Sequence, residues 1–535
     1  MPKLAGGPPS ESYGLYAAAG ALLLGGPVWH YLYVNHYPAR PELFLLVGGA
    51  ALAGAAIAAA AHRVGGLVES VCFALLLYVF IDLQFDLESH LTQPMLLVIA
   101  LALSLLLRRR RAAIAAITLG AFYLAALPRR PVRAGDRAST ADPPIAAAGA
   151  KPPVLVHVIL DEEWGVGGLR QQGDSSTAAF LSDFYLRRGF ELYPAAYSRY
   201  HHTVESVPAI VSLGRRPDIA MNPDLPDDAG TLRSIPYFET LRARGYRIHV
   251  VQSSFLDYCS APSTPVVSCE TQAGNSIANV GHLEGSALMR AELAARYFLS
   301  ITSHLYRRLH PDPKVWRRAT AGGGLQALRH VRHAIASGAQ PGNAYFVHVL
   351  LPHRPLEVDP ECGALRDPTK RVGFEMPARL TDAQWTARLA LEGAQIRCTH
   401  RALGAVLDAL DRVADREHAI VIVQGDHGSR IFQHSPEHVQ LSRFDADQLS
   451  GYYSTLLAVR RPSVPAAVHP EPVPVQDFVW RLAGQGFLGP VSTDFTHAVY
   501  GSHTDAVPQD SVRALTPAQM PWVTPPSGAA LATTR

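Results

Sequence analysis

Hydrophobic positions follow two different rhythms along this chain. Over the first 127 residues they come in five long blocks. Residues 12–38 carry no Asp, Glu, Lys or Arg, and 44–61 are 18 residues without a charge. Residues 64–85 are apolar but interrupted by Glu69 and Asp82, and the last two blocks are the 17 residues 91–107 and the 16 residues 112–127. Each block is near the length a helix needs to cross a bilayer, the last only just. A cleavable signal peptide accounts for one such block, not five, and the competing reading is a set of buried core helices. The pattern therefore predicts a five-helix transmembrane domain over residues 1–127. Glu69 and Asp82 are either intramembrane functional groups or, the preferred reading, interfacial residues at the two ends of the third block. Gly49 and Ala53, four residues apart, are small enough for helix packing in lipid.

From residue 154 the rhythm changes. Residues 418–424 are a short apolar, β-branched run that reads as a buried strand, 154–160 read as a core strand, and 246–252 and 345–351 read as strands as well. Helical stretches lie between them, around 178–188, 283–309 and 381–413. Alternating strands and helices predict an α/β domain over 154–502, with a largely parallel sheet covered on both faces. The Pro/Ala/Arg-rich residues 128–153 read as a linker, and 503–535 as a loosely ordered tail.

Charge sharpens the membrane reading. The net charge is only +3 and no long Lys/Arg-rich block marks a nucleic-acid-binding face. The four arginines at 108–111 lie between the fourth and fifth blocks, which places that hairpin in the cytoplasm. Counting outward, everything after residue 127 is outside, although Arg129, Arg130, Arg133 and Arg137 follow the fifth block on that outer side. The cysteines favour the outward orientation. Cys259, Cys269, Cys362 and Cys398 lie in the soluble part and suit disulfides in an oxidising compartment. Of three possible pairings, 259–269 with 362–398 is preferred. Zinc binding by these cysteines is weaker because no Cys-x-x-Cys spacing occurs.

Candidate chemistry gathers at strand ends, where open α/β sheets place their sites. The run 418–424 ends in Gly425-Asp426-His427-Gly428, a carboxylate and an imidazole suited to a divalent cation, flanked by glycines that let the chain turn. The first strand ends in Asp161 and Glu162, further candidate ligands. Residues 200–214 place Thr203 before a helix whose early positions include Pro208. A hydroxyl there has two readings, a helix cap supplied by Thr203 or Ser206 or a metal-activated nucleophile. Residues 351–356 follow another strand with His353, a proton donor or anion holder, and Arg354, a phosphate binder.

Acid, Thr, His and Asp-His in this order resemble the alkaline phosphatase/sulfatase superfamily. The likeness is greatest to membrane-anchored members with five N-terminal spans, the phosphoethanolamine and phosphoglycerol transferases, and covers roughly residues 154–485 of the soluble part. Thr203-Val-Glu-Ser-Val-Pro208 is similar to the Thr-x-x-Ser-Val-Pro segment of the former. Residues 352–356 resemble the Pro-His-x-Pro segment of sulfatases, and 425–428 the late Asp-His-Gly motif. The resemblance implies an alkaline-phosphatase-like α/β/α domain, Thr203 as nucleophile with His353 assisting, and Asp161, Glu162, Asp426 and His427 around zinc or manganese. It implies His202, Arg354 and His434 near substrate. There are departures. The Cys/Ser-x-Pro-x-Arg stretch of sulfatases is missing, Ser429 and Arg430 stand where an acid often follows Asp-His-Gly, and no cysteines brace Thr203. The expected activity is transfer or hydrolysis of a phosphoryl-linked group, from a membrane phospholipid donor to a glycan or lipid acceptor, at the outer face of a bacterial cytoplasmic membrane. The alternatives are a sulfate-ester hydrolase and a non-catalytic lipid-binding regulator.

Overall fold

The computed structural model describes residues 12–85, 92–108, 110–126, 151–213, 219–221, 230–261, 265–310, 319–367, 371–372, 379–414, 418–433, 441–501, 512–516, 519–520 and 522. His434, residues 128–150 of the expected linker and most of 503–535 lie outside these. The chain divides into two compact units, Met1–Val132 with Asn275–Ala319, and Arg133–Gly274 with Thr320–Arg535.

The second unit is built on an eight-stranded sheet. Its strands are β1 (Val154–Leu160), β2 (Glu191–Leu192), β3 (Arg247–Ser253), β4 (Ser268–Gln272), β5 (Asn343–Val349), β6 (Ala419–Gly425), β7 (Leu457–Arg460) and β8 (Ala467–Val468), in the order β8-β2-β7-β6-β1-β5-β3-β4. Only the pairings of β7, with β6 and β2, are antiparallel. All seven residues of β1 and of β6 are buried, as expected for central strands covered on both faces. Register positions the chemistry: Leu160 lies opposite Gly425 on one side and Val349 on the other. Three strands thus end level, and Asp161, Asp426 and the loop carrying His353 leave the sheet at one edge. Both preferred cysteine pairs are bonded, Cys259–Cys269 and Cys362–Cys398.

The first unit contains α1 (Tyr13–Val34), α2 (Pro41–Val64), α3 (Gly66–Phe85), α4 (Thr92–Leu106) and α5 (Arg111–Ala126), with α6 (Ala287–Thr302) and α7 (His304–Leu309) contributed from much later in the chain. Two of the five N-terminal helices, α2 and α3, are long and apolar enough to cross a membrane, while α4 and α5 are apolar but shorter. By length and composition, then, two of the five expected spans are supported. Close packing falls at other small residues than Gly49 and Ala53. Ala53 is exposed and a Cβ on Gly49 would meet nothing. On Gly20 of α1 it would lie 2.1 Å from the carbonyl oxygen of Gly54 on α2, so the two backbones touch there. Glu69 is held by Arg111 at 2.8 Å and His62 at 2.9 Å. Asp82, at the other end of α3, accepts from Ser303 Oγ at 2.6 Å and from the His304 backbone N–H at 3.1 Å.

Candidate active site

Asp161, Asp426 and His427 are buried, and one ligand atom from each lies within 4.8 Å of the others. Each carries a mark of a cation site. Asp426 spends Oδ1 on two backbone N–H groups, Glu162 at 3.0 Å and His427 at 2.8 Å. Its Oδ2 has no hydrogen-bond partner, although an unpaired buried carboxylate oxygen is costly. His427 Nδ1 faces the Gly428 carbonyl oxygen at 2.7 Å. That contact requires the proton on Nδ1 and leaves the Nε2 lone pair toward Asp426 Oδ2, 3.2 Å away. Burial first, then the facing Asp161, pushes the Asp426 carboxyl well up; burial likewise raises Asp161 and lowers His427. Two buried acids, one raised by the other, beside a neutral imidazole are what a divalent cation reverses. The residues fit the expected metal. Among the described residues they are the one group of three or more His, Cys, Asp or Glu arranged this way.

Thr203 opens the helix Thr203–Val211, in which Pro208 is the sixth residue. His202 occupies the N-cap position and makes no side-chain cap. Neither hydroxyl serves as a cap. Thr203 Oγ1 donates toward Asp161, at 3.3 and 3.4 Å from its two oxygens, and lies 3.2 Å from His427 Nε2. Ser206 Oγ donates to the Asp426 carbonyl oxygen and is itself held by Gln476 Nε2 at 3.1 Å. The helix thereby presents one hydroxyl to the cluster and uses another to fix the end of β6.

The glycines around Asp-His serve closeness rather than rotation. A Cβ on Gly425 would stand 2.2 Å from Thr455 Oγ1, and one on Gly428 2.2 Å from the Gly451 carbonyl oxygen. Thr455 Oγ1 in turn links the β1 and β6 ends through the carbonyls of Glu163, 3.0 Å, and His427, 3.2 Å.

Glu162 does not join the cluster. Its carboxylate faces Arg354, with Nε at 3.3 Å from Oε2 and Nη2 at 3.3 Å from Oε1, and Arg430, whose Nε is 2.8 Å from Oε1. Burial acts to raise this carboxyl, but Arg354, His353 and Arg430 outweigh it and hold it well below the usual range. Arg430 therefore fills the place beyond Asp-His-Gly with a cation bound to Glu162, and also contacts His202 Nδ1 at 2.8 Å. Two guanidinium groups on one carboxylate leave a net positive patch beside Thr203. His353 stands at the edge of that patch, Nε2 being 3.8 Å from Glu162 Oε1.

No protein-family model and no curated protein matches the sequence. Solved structures of the alkaline phosphatase superfamily are similar to it. The C-terminal periplasmic domain of EcEptC from Escherichia coli, in complex with Zn, is 11% identical, covering 71% of this chain and 99% of that one, with a TM-score of 0.38. The phosphonate monoester hydrolase of Agrobacterium radiobacter is 13% identical over 63% of this chain and 74% of its own, TM-score 0.38. A protein in the alkaline phosphatase superfamily from Vibrio parahaemolyticus is 11% identical over 65% and 69%, TM-score 0.35.

Sequence reasoning did not find the residues that brace the site. Gln395, buried on the long helix Asp382–Val413, donates to the carbonyls of Pro352, 2.7 Å, and His353, 3.0 Å. His348 places Nε2 3.5 Å from Asp161 Oδ2 while its Nδ1 meets Tyr258 OH at 2.9 Å. Both contacts join segments far apart in the chain, and no local pattern announces them.

Proposed function

We propose that this chain is a metal-dependent, membrane-anchored enzyme that transfers or hydrolyses a phosphoryl-linked group of the phosphoethanolamine or phosphoglycerol type. The observation that carries this reading is the position of Thr203 Oγ1, within 3.4 Å of both Asp161 and His427 Nε2. A hydroxyl used only for folding has no need of a buried acid–imidazole pair with an orphaned carboxylate oxygen beside it.

Asp161, Asp426 and His427 are the residues to hold the cation, zinc or manganese by donor type. When bound, the metal supplies positive charge that favours an ionised threonine and offsets charge on phosphorus oxygens. The chain's own groups do the rest. Thr203 Oγ1 forms a bond to phosphorus as the phosphorus–oxygen bond to the lipid's diacylglycerol breaks. The threonine proton passes to the Asp161 carboxylate, whose oxygens lie 3.3 and 3.4 Å from Oγ1. Arg354 and Arg430 face the non-bridging oxygens, and His353 returns a proton to the departing alkoxide. A glycan or lipid hydroxyl, or water, then attacks phosphorus and releases Thr203, which regains its proton.

The membrane domain belongs to the same reading. Five helices anchor the catalytic unit outside the cytoplasmic membrane of a bacterium. Anchoring holds the site near a lipid donor and raises its effective concentration. The test is diacylglycerol release from phosphatidylethanolamine or phosphatidylglycerol by the purified full chain. Wild type should release it and Thr203→Ala should not; equal release by both overturns the threonine assignment.

A further inference from the structure

The segment Asn275–Ala319 leaves the sheet-containing unit and packs with the N-terminal helices. Its contacts fall at one end of α2 and α3. Arg290 of α6 grips Glu42, in the first turn of α2, with Nε–Oε1 at 2.9 Å and Nη2–Oε2 at 3.1 Å, and Glu42 is fully buried. Ser303 and His304, where α6 passes into α7, bond to Asp82 near the end of α3. α2 and α3 run in opposite directions through the turn at Gly65, so Glu42 and Asp82 mark the same end of the pair. Glu69, His62 and Arg111 mark the other.

The outer surface of this segment is unusual for a water-facing one. Leu288 is 70%, Leu309 71% and Leu305 42% exposed, and α7 buries no residue. Phe44 and Leu45 at the start of α2 and Phe85 at the end of α3 are exposed at the same end, so the leucines continue an apolar surface already present on the two helices suited to span a bilayer. The six residues of α7, His-Leu-Tyr-Arg-Arg-Leu, contain Arg307 and Arg308 and no acid. Leu305 and Leu309 lie on one face of α7, flanked by the guanidinium stems. Apolar side chains beside arginines, at the mouth of spanning helices, suit the headgroup–acyl boundary of an anionic bilayer.

We propose that α6 and α7 form a membrane-surface collar, with Leu288, Leu305 and Leu309 entering the headgroup–acyl boundary and Arg307 and Arg308 meeting the phosphates of anionic phospholipid. This rests on the membrane-anchored reading. The collar has a mechanical consequence, since the chain passes between the two units at Val132, Gly274 and Ala319. The catalytic unit is therefore tied to the collar by two further chain connections besides the one after α5.

Spin labels on the full chain in nanodiscs test it. Cys72, the free cysteine among the described residues, is replaced by serine, and labels are placed singly at Leu305→Cys, Leu309→Cys and, as a reference on α2, Leu52→Cys. In phosphatidylcholine–phosphatidylglycerol discs, collisional relaxation by an aqueous nickel chelate should be lost at all three sites, with relaxation by oxygen retained. Arg307→Glu with Arg308→Glu should restore chelate access at 305 and 309 only. Chelate access at 305 and 309 with Leu52 shielded overturns the collar and leaves the anchor standing. Chelate access at all three overturns both. Shielding of 305 and 309 from chelate and oxygen alike means protein covers them, and also overturns the collar, as does an immersion indifferent to phosphatidylglycerol.

Discussion

Thr203 Oγ1 lies 3.2 Å from His427 Nε2, and the other ring nitrogen of His427 is committed to the Gly428 carbonyl oxygen at 2.7 Å. The backbone thus selects the tautomer whose lone pair faces the candidate nucleophile. Removing either side chain should separate metal binding from chemistry. Thr203→Ala is expected to keep metal content, measured by elemental analysis, while losing activity. His427→Gln and Asp426→Asn are expected to lose the metal, with activity falling by at least about 100-fold.

Ser206 reaches the same site through the backbone. Its hydroxyl donates to the Asp426 carbonyl oxygen and is buried, with Ser198 Oγ at 3.1 Å. Ser206→Ala should cost roughly 1–3 kcal/mol in denaturant unfolding, because a buried acceptor loses its donor. Metal affinity, followed by calorimetry, should fall about 10–100-fold although no ligand changes.

Glu162 distinguishes two roles for an acid beside Asp161. If it serves to hold Arg354 and Arg430, Glu162→Gln removes the one buried negative charge that both guanidinium groups face. The expected loss is about 3–5 kcal/mol of stability, with metal stoichiometry intact in the fraction that folds. A variant that keeps its stability and loses metal shows instead that Glu162 is a ligand.

Gly428→Ala should not be tolerated. Its Cβ would meet a backbone oxygen at 2.2 Å, and backbone, unlike a side-chain tip, cannot swing away. Overpacking of this kind costs about 1–3 kcal/mol or more, and the expected readout is a lowered melting midpoint together with weakened metal binding.

His400 gives a pH signature remote from the cluster. It is fully buried, with Nδ1 donating to the Ile396 carbonyl oxygen and Nε2 accepting from Tyr185 OH, each at 2.9 Å. Burial holds its pKa down to about 4, below the value of about 6.5 expected when unfolded. The unfolded chain therefore binds the extra proton first, and the contribution is present above pH ~6.5 and lost as pH falls toward 4. Between pH 7 and 5 this amounts to about 2 kcal/mol. His400→Gln should remove that dependence, so the stability difference between variant and wild type moves by that amount in the variant's favour on acidification.

The strands bearing the site were legible because each is a short, largely apolar run. Residues 154–160 are β1 as expected, and 418–424 is displaced from β6 by one residue. Three features were not legible. The antiparallel placement of β7 depends on pairing partners that a four-residue run does not specify. The commitment of Glu162 to Arg354 and Arg430 joins residues 192 and 268 positions apart. Residues 283–309 showed helical periodicity, but nothing local in them identifies α2 and α3 as what their apolar face covers. Periodicity reports that a face is buried and is silent on its partner.

The central claim is that Thr203 becomes covalently loaded. Intact-mass measurement of the full chain, metal-loaded and incubated with membrane phospholipids, tests this most directly. The account predicts an adduct with the mass of the transferred phosphoryl group, located at Thr203 by peptide mapping and absent from Thr203→Ala. Turnover of lipid by wild type with no adduct under rapid acid quench, or an adduct that persists in Thr203→Ala, would contradict it.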